Sequence, residues 1–177
     1  MGGGPACAPP VPAASRRCSR ARCATGARTS TGGRRRDNVN PNLLATLIQI
    51  ESCGSPDAIS AAGAAGLFQV MPFNFAPGDD FFDVETNARR GIGVLLECLG
   101  QANYDAGRAM ACYNGGPGTL NTVYTNWYDE TQRFYTWGTG IYADALAGRA
   151  ESATLDRWLA EGGAALCQRA AAVLRLE

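Results

Sequence analysis

Leu44, Leu47 and Ile48 fall at the i, i+3, i+4 spacing of one helix face, and the residue that continues their stripe at i+7 is Glu51. A carboxylate therefore stands where the pattern asks for an apolar side chain, one turn before Gly54, Ser55 and Pro56 end the helix. Burial disfavours the charged form of a carboxyl and raises its pKa. A Glu that keeps its proton near neutral pH, held at a helix end, is suited to general acid catalysis. On helix position alone, the competing reading is a core-edge Glu paired with an Arg.

Composition narrows the chemistry. The chain has 177 residues and no His, and all sixteen of its basic residues are Arg. Ser-His-Asp and Cys-His catalysis, His-ligated metal sites and Lys Schiff bases are excluded. Carboxyl, Tyr and Cys remain for proton transfer. The spacing of the seven Cys fits no zinc pattern, and neither a metal nor an organic cofactor is implied. A disulfide among Cys53, Cys98 and Cys112 fits an oxidising compartment, and small buried thiols fit equally; spacing does not choose a pairing.

The zero net charge conceals an asymmetry. Eight Arg and no acid lie in residues 1–36, whereas eight Arg face sixteen acids from Asp37 onward, a net −8. The acidic part is a poor match for nucleic acid. Residues 1–39 are rich in Gly, Ala, Pro and Arg and read as a disordered leader, with no apolar run suited to a secretory signal. No stretch of about 18 apolar residues exists to span a membrane.

The elements that must position Glu51 are helical. Asn40-Pro41 is an N-cap followed by proline at the first helical position, which starts the helix over residues 43–51. Residues 54–66 read as a close-packed loop or very short hairpin, and residues 67–71 as a helical turn stopped by Pro72. Asp83 caps a helix with Ala88, Ile92, Leu95, Leu96 and Leu99 on its apolar face. Asp105 caps another, carrying Ala106, Ala109, Met110 and Tyr113 and ending at Gly115-Gly116-Pro117. Residues 120–127 suggest a short helix. Glu130 opens a further one with Phe134, Trp137, Gly138, Ile141 and Ala145 on its stripe, and residues 148–177 read as a helical hairpin turning at Gly162-Gly163. The expected fold is mainly α, with little or no β-structure.

Four motifs occur in order on these elements. The run from Glu51 to Pro72, ESCGSPDAISAAGAAGLFQVMP, comes first; DVETNARRGIGVLL, ACYNGGPG and ETQRFY follow. Together they resemble the soluble lytic transglycosylase family, with its lysozyme-like domain, over residues 40–147. The resemblance implies that Glu51 is the single catalytic acid/base and that Ser60 lies beside it. It implies that Gln69 and Met71 line a saccharide groove, that Tyr113 and Asn114 stand opposite, and that Glu130 helps shape the groove. The family's E-T-x-x-Y tyrosine falls here on Phe134, and Tyr135 comes one residue later, about 100° round the helix; either Tyr135 substitutes for it after a local shift, or the hydroxyl is absent and, if it positions Glu51, activity is reduced. Taken singly, Tyr113 also reads as a core residue, Asn114 as a helix terminus, Gln69 as a partner of loop backbone, and Trp127 and Trp137 as packing.

The implied substrate is the peptidoglycan glycan strand, cut at the β-1,4 bond between N-acetylmuramic acid and N-acetylglucosamine. Most glycosidases use a second carboxylate. Asp57, Asp79, Asp80 and Asp83 read as turn caps or solvent-facing groups, so a 2-acetamido group on the substrate is expected to assist instead. The family implies that the same Glu then removes the C6 hydroxyl proton, so that a 1,6-anhydro sugar forms. A lysozyme-type hydrolase and a catalytically silent glycan-binding module are the alternatives. The substrate implies action outside the cytoplasm.

Overall fold

The computed structural model describes residues 39–176. All but the last residue of the leader expected at 1–39 falls outside that range. Six α-helices lie among the described residues: α1 (Pro41–Ser52), α2 (Val84–Gln101), α3 (Ala106–Gly115), α4 (Asp129–Leu146), α5 (Ala153–Trp158) and α6 (Ala164–Leu174), with the long connection over residues 53–83 between α1 and α2. Among the described residues there is no strand; two isolated antiparallel bridges, Ile59 with Ala65 and Ala65 with Val70, are the nearest approach to a sheet.

Local chemistry sets the helix starts. The Asn40 side chain accepts from the Asn42 N–H, with Pro41 at the first position of α1. Asp83 accepts from the Thr86 N–H and Asp105 from the Arg108 N–H, each at 2.8–2.9 Å. Such caps satisfy donors that a helix leaves open and contribute about 1 kcal/mol each. Helix α1 ends at Cys53, whose φ of +51° turns the chain out of the helix.

The core lies where α1, α2, α3 and α4 meet. Leu47, Leu95, Ala109 and Met110 are fully enclosed, joined by Leu43, Ile50, Phe68, Val70, Phe134 and Ile141. Each large aliphatic or aromatic side chain buried this way contributes roughly 1.5–3 kcal/mol. Helix α4 runs antiparallel to α1: the Asn42 amide donates to the Ala145 carbonyl, and Ile50 faces Gly138. A Cβ at Gly138 would meet the Met110 sulfur, and one at Gly91 would overlap the Phe68 ring, so both helices approach through glycine.

Three expectations change in detail. Residues 120–127 form no continuous helix but two short 3-10 turns, Pro117–Asn121 and Tyr124–Asn126. The extended residues Thr122 and Val123 separate them. Pro72 does not stop a turn but begins one, Pro72–Asn74, after Val70 has bridged back to Ala65. The tail bends at Gly162, whose φ is +125°, and its two arms lie against different partners, α5 on α4 and α6 on α1.

Among the described residues two disulfides cross-link the helices. Cys98 of α2 joins Cys112 of α3, and Cys53 at the end of α1 joins Cys167 of α6. The second pairing uses a cysteine that the sequence reading had not grouped with the others.

Candidate functional site

Glu51 occupies the last turn of α1 and is only partly open to solvent. Burial pushes its pKa from 4.5 up to about 8, and the nearby negative charge of Glu130 pushes in the same direction. The ion pairs among the described residues join Arg89 and Arg90 to Asp79, and Arg149 to Asp144. None reaches Glu51, so no Arg among the described residues neutralises it. At neutral pH the carboxyl therefore holds its proton.

Ser52, the next residue, is fully buried and donates to the Leu67 carbonyl at 2.7 Å. That bond fixes the loop over residues 58–70 to the end of α1. The same loop is pinned from α2 by Asn87, which is 1% exposed. Its amide donates to the Ala65 and Phe81 carbonyls and its oxygen accepts from the Phe68 N–H, all at 2.8 Å. Gly66, with φ of +74°, lies so close to the Asn87 amide that no Cβ fits there.

From the opposite side, the Tyr113 hydroxyl of α3 donates to the Phe68 carbonyl at 2.7 Å. Burial raises the Tyr113 phenol well above its ordinary value, with the Glu51 charge adding to the effect. Tyr113 is therefore a neutral donor near Glu51. Asn114 follows it and accepts from the Thr131 hydroxyl at 2.8 Å, which ties α3 to α4 beside Glu130. Gly115 makes that junction feasible: a Cβ would stand 2.6 Å from the Thr119 hydroxyl and 2.7 Å from that of Thr131.

The remaining expected residues divide. Ser60 turns its hydroxyl onto the Ala64 N–H and closes the tight hairpin that its own backbone also bridges. Gln69 adopts a φ of +45°, and both protons of its amide go to loop carbonyls, Ala58 and Gly66. Met71 is half-buried at the exit of that loop. Tyr135 packs edge-on against Tyr124 and Trp127, with ring centroids 5.8 and 5.4 Å away, and its ring lies over Gly107 near the start of α3. Tyr113 stands at the other end of α3. Phe134 is 4% exposed in the core. Trp127 donates to the Thr119 carbonyl and is packing.

The four loop aspartates take structural roles or face solvent. Asp79 holds Arg89 and Arg90 and accepts from the Ala76 N–H, Asp80 accepts from the Phe82 N–H, Asp83 caps α2, and Asp57 is exposed. Glu130 is the second acid that acts on Glu51. Sequence reasoning had missed Ser52, Asn87 and Thr131 as positioning residues. Asn87 carried a readable signal: it precedes Gly91, Leu95 and Cys98 on one buried stripe, a polar residue in an apolar series as Glu51 is.

Similarity to known proteins follows the same residues. Residues 30–135 match the family model described as the transglycosylase SLT domain. A curated relative named transglycosylase, from Enterobacteria phage PRD1, is 32% identical over 99 residues, which is 55% of this chain and 35% of the relative. The chain thus spans about a third of that relative's length. Among solved structures, an inactive mutant of the lytic transglycosylase Slt from Pseudomonas aeruginosa is similar in fold. The TM-score is 0.52 at 22% identity, over 63% of this chain and 22% of that one.

Proposed function

The chain belongs to the transglycosylase SLT domain family, and from that premise we propose that it cleaves peptidoglycan glycan strands with Glu51 as acid/base. The observation that carries this reading is a carboxyl with a pKa near 8, without an Arg partner among the described residues and held at a helix end. Protonated Glu51 gives its proton to the glycosidic oxygen between N-acetylmuramic acid and N-acetylglucosamine as the bond breaks. The 2-acetamido oxygen of the substrate stabilises the cationic anomeric carbon. Glu51, now a carboxylate, takes the proton from the C6 hydroxyl, whose oxygen closes the 1,6-anhydro ring.

Ser60, Gln69, Met71, Tyr113, Asn114 and Glu130 are the proposed walls of the groove. The bonds from Asn87, Ser52 and Tyr113 to the loop over residues 65–68 support their common position. Tyr135 belongs to the proposed walls only through its aromatic neighbours. Such a substrate implies action outside the cytoplasm, and no helix among the described residues is long and apolar enough to cross a membrane.

The proximity of Glu130 favours one second reading, hydrolysis with Glu130 as the other carboxylate. Mass spectrometry of fragments released from purified peptidoglycan separates the two. Anhydro-muramyl ends are expected; reducing ends would support hydrolysis, and wall binding without release would support a silent module. Glu51→Gln should abolish release.

A further inference from the structure

Cys53 and Cys167 close their bridge two residues from Glu51, between the end of α1 and the tail helix α6. The two disulfides differ in access. Cys98 and Cys112 are 4% and 1% exposed, whereas Cys53 and Cys167 are both half-buried, within reach of a reagent in solution. Thiol–disulfide exchange needs such access to a sulfur, and it needs a stable thiolate leaving group. Gln49, one turn before Cys53, meets the second need. Its amide Nε2 donates to the Cys53 sulfur at 3.2 Å and to the Cys167 sulfur at 3.4 Å, so one donor serves whichever sulfur leaves. A hydrogen bond to a charged sulfur is stronger than one to the neutral bridge, and the difference favours opening.

The elements on either side of the bridge are built to separate. Of the eleven residues of α6 only Ala170 is buried, with Leu166 and Cys167 partly covered. Isolated helices of that length are marginal in water, and so little apolar surface does not hold one in place. The preceding arm is anchored without the bridge: Trp158 of α5 is 4% exposed in the core, with Leu155 and Leu159 packed against the same cluster. Gly162, with a φ of +125° and open space around it, is a pivot about which α6 can leave α1 while α5 stays on α4. On the other side, Cys53 holds a φ of +51°, an uncommon conformation for a residue with a Cβ, and the turn of α1 that carries Glu51 ends on it.

We infer that Cys53–Cys167 is a thiol–disulfide exchange site whose opening releases α6 and loosens the Glu51 turn, so that the bridged form is active and the dithiol form is not. The link to activity rests on the function proposed above. An external dithiol supplies the electrons. Its thiolate attacks the Cys167 sulfur, the S–S bond breaks, and the electron pair leaves on the Cys53 sulfur beside Gln49, which then takes a proton. The second thiol of the reductant displaces Cys167 as a thiol. The reductant ends as a disulfide, and the protein gains two electrons and two protons. A disulfide-bearing oxidant reverses the sequence. The enzyme is thereby quiet in a reducing compartment and active in an oxidising one.

The test places the full-length oxidised protein in dithiothreitol buffers of graded reduced-to-oxidised ratio, alkylates free thiols, and reads each cysteine by peptide mass spectrometry, which separates Cys7, Cys18 and Cys23 from the other four. Hydrogen exchange and release of peptidoglycan fragments are followed in the same buffers. Cys53 and Cys167 should open at a ratio that leaves Cys98–Cys112 closed. Residues 164–174 and the last turn of α1 should lose protection while the core keeps it. Fragment release should fall about ten-fold or more, and re-oxidation should restore it. Glu51 is faced by Tyr113 of α3 and Glu130 of α4. Water admitted by the loosened turn should move the alkaline limb of the residual rate to lower pH, which a uniform loss of stability would not do. Gln49→Leu should slow opening about five-fold and leave the activity of the oxidised protein unchanged. Opening of both bridges together, full activity in the opened form, or loss of protection throughout the core would overturn the inference. If the oxidised protein cuts no wall while this bridge opens first and frees α6, the proposed activity fails and the exchange site stands.

Discussion

The Tyr113 hydroxyl donates to the Phe68 carbonyl across the site at 2.7 Å, and Asn87 holds the Phe68 N–H from the other side. One residue of the loop is thereby gripped from α3 and from α2, with Glu51 near the phenol. Tyr113→Phe leaves that carbonyl without its donor. The expected cost is about 1–3 kcal/mol in urea unfolding, with a larger proportional fall in kcat than in stability.

Glu130→Gln removes a negative charge that raises the Glu51 pKa. The acid step needs protonated Glu51, so the alkaline limb of kcat/KM should move to lower pH. Burial is the larger cause of the raised value, so the limb should remain well above 4.5. A pH–rate profile of wall-fragment release reads this directly; an unmoved limb would exclude a contribution from Glu130.

Glu51 also sets a stability slope. Below its ordinary value of 4.5 both folded and unfolded chains hold the proton; between 4.5 and about 8 only the folded chain holds it. Stability contributed by the protonated carboxyl is therefore present at low pH and lost as pH rises through about 8, at most about 1.4 kcal/mol per pH unit. Glu51→Gln should flatten this part of the profile and make the protein more stable than wild type at pH 8. Unfolding in urea at pH 5 and pH 8 measures both slopes.

Gly66→Ala should be among the costliest single changes. It places a Cβ at a φ of +74° and drives it into the Asn87 amide and the Phe81 carbonyl. Backbone strain plus loss of Asn87 hydrogen bonds should cost about 3 kcal/mol or more. The expected signature is a lowered midpoint of thermal unfolding and loss of activity, whereas Gly63→Ala, which meets open space, should show only the backbone cost of its positive φ.

Cys167→Ser opens a cross-link between residues 114 positions apart. Loop-closure entropy puts the cost at about 5 kcal/mol or less. Thermal unfolding of the variant and of reduced wild type should show the loss; unchanged midpoints would mean that the bridge contributes nothing to stability.

Much of the framework was legible because local chemistry writes it. Asn40-Pro41, Asp83 and Asp105 mark three helix starts, and each cap forms as read. Glu51 was visible as a break in an apolar stripe. The path of residues 120–127 was not, since its aromatics suit both a helix and the two turns that pack Trp127 on Thr119. The Cys53–Cys167 disulfide was not legible either, because these two meet only once the tail has folded back onto α1. The replacement of the family's tyrosine by Phe134 looked in sequence like a one-residue slip. In three dimensions residue 134 faces the core and residue 135 faces Gly107, so the two are not interchangeable.

The bridge from Cys53 to Cys167 makes a covalent ring of the intervening chain, with the Cys98–Cys112 ring nested inside it. Every proposed wall of the groove from Ser60 to Glu130 is carried on that ring, while Glu51 enters from two residues outside. A protease that cuts once in any exposed turn of the ring releases no fragment. On a non-reducing gel the nicked protein keeps its full mass, and only a thiol reveals the cut. What stays together is thus set by the two bridges rather than by the linear order of the chain.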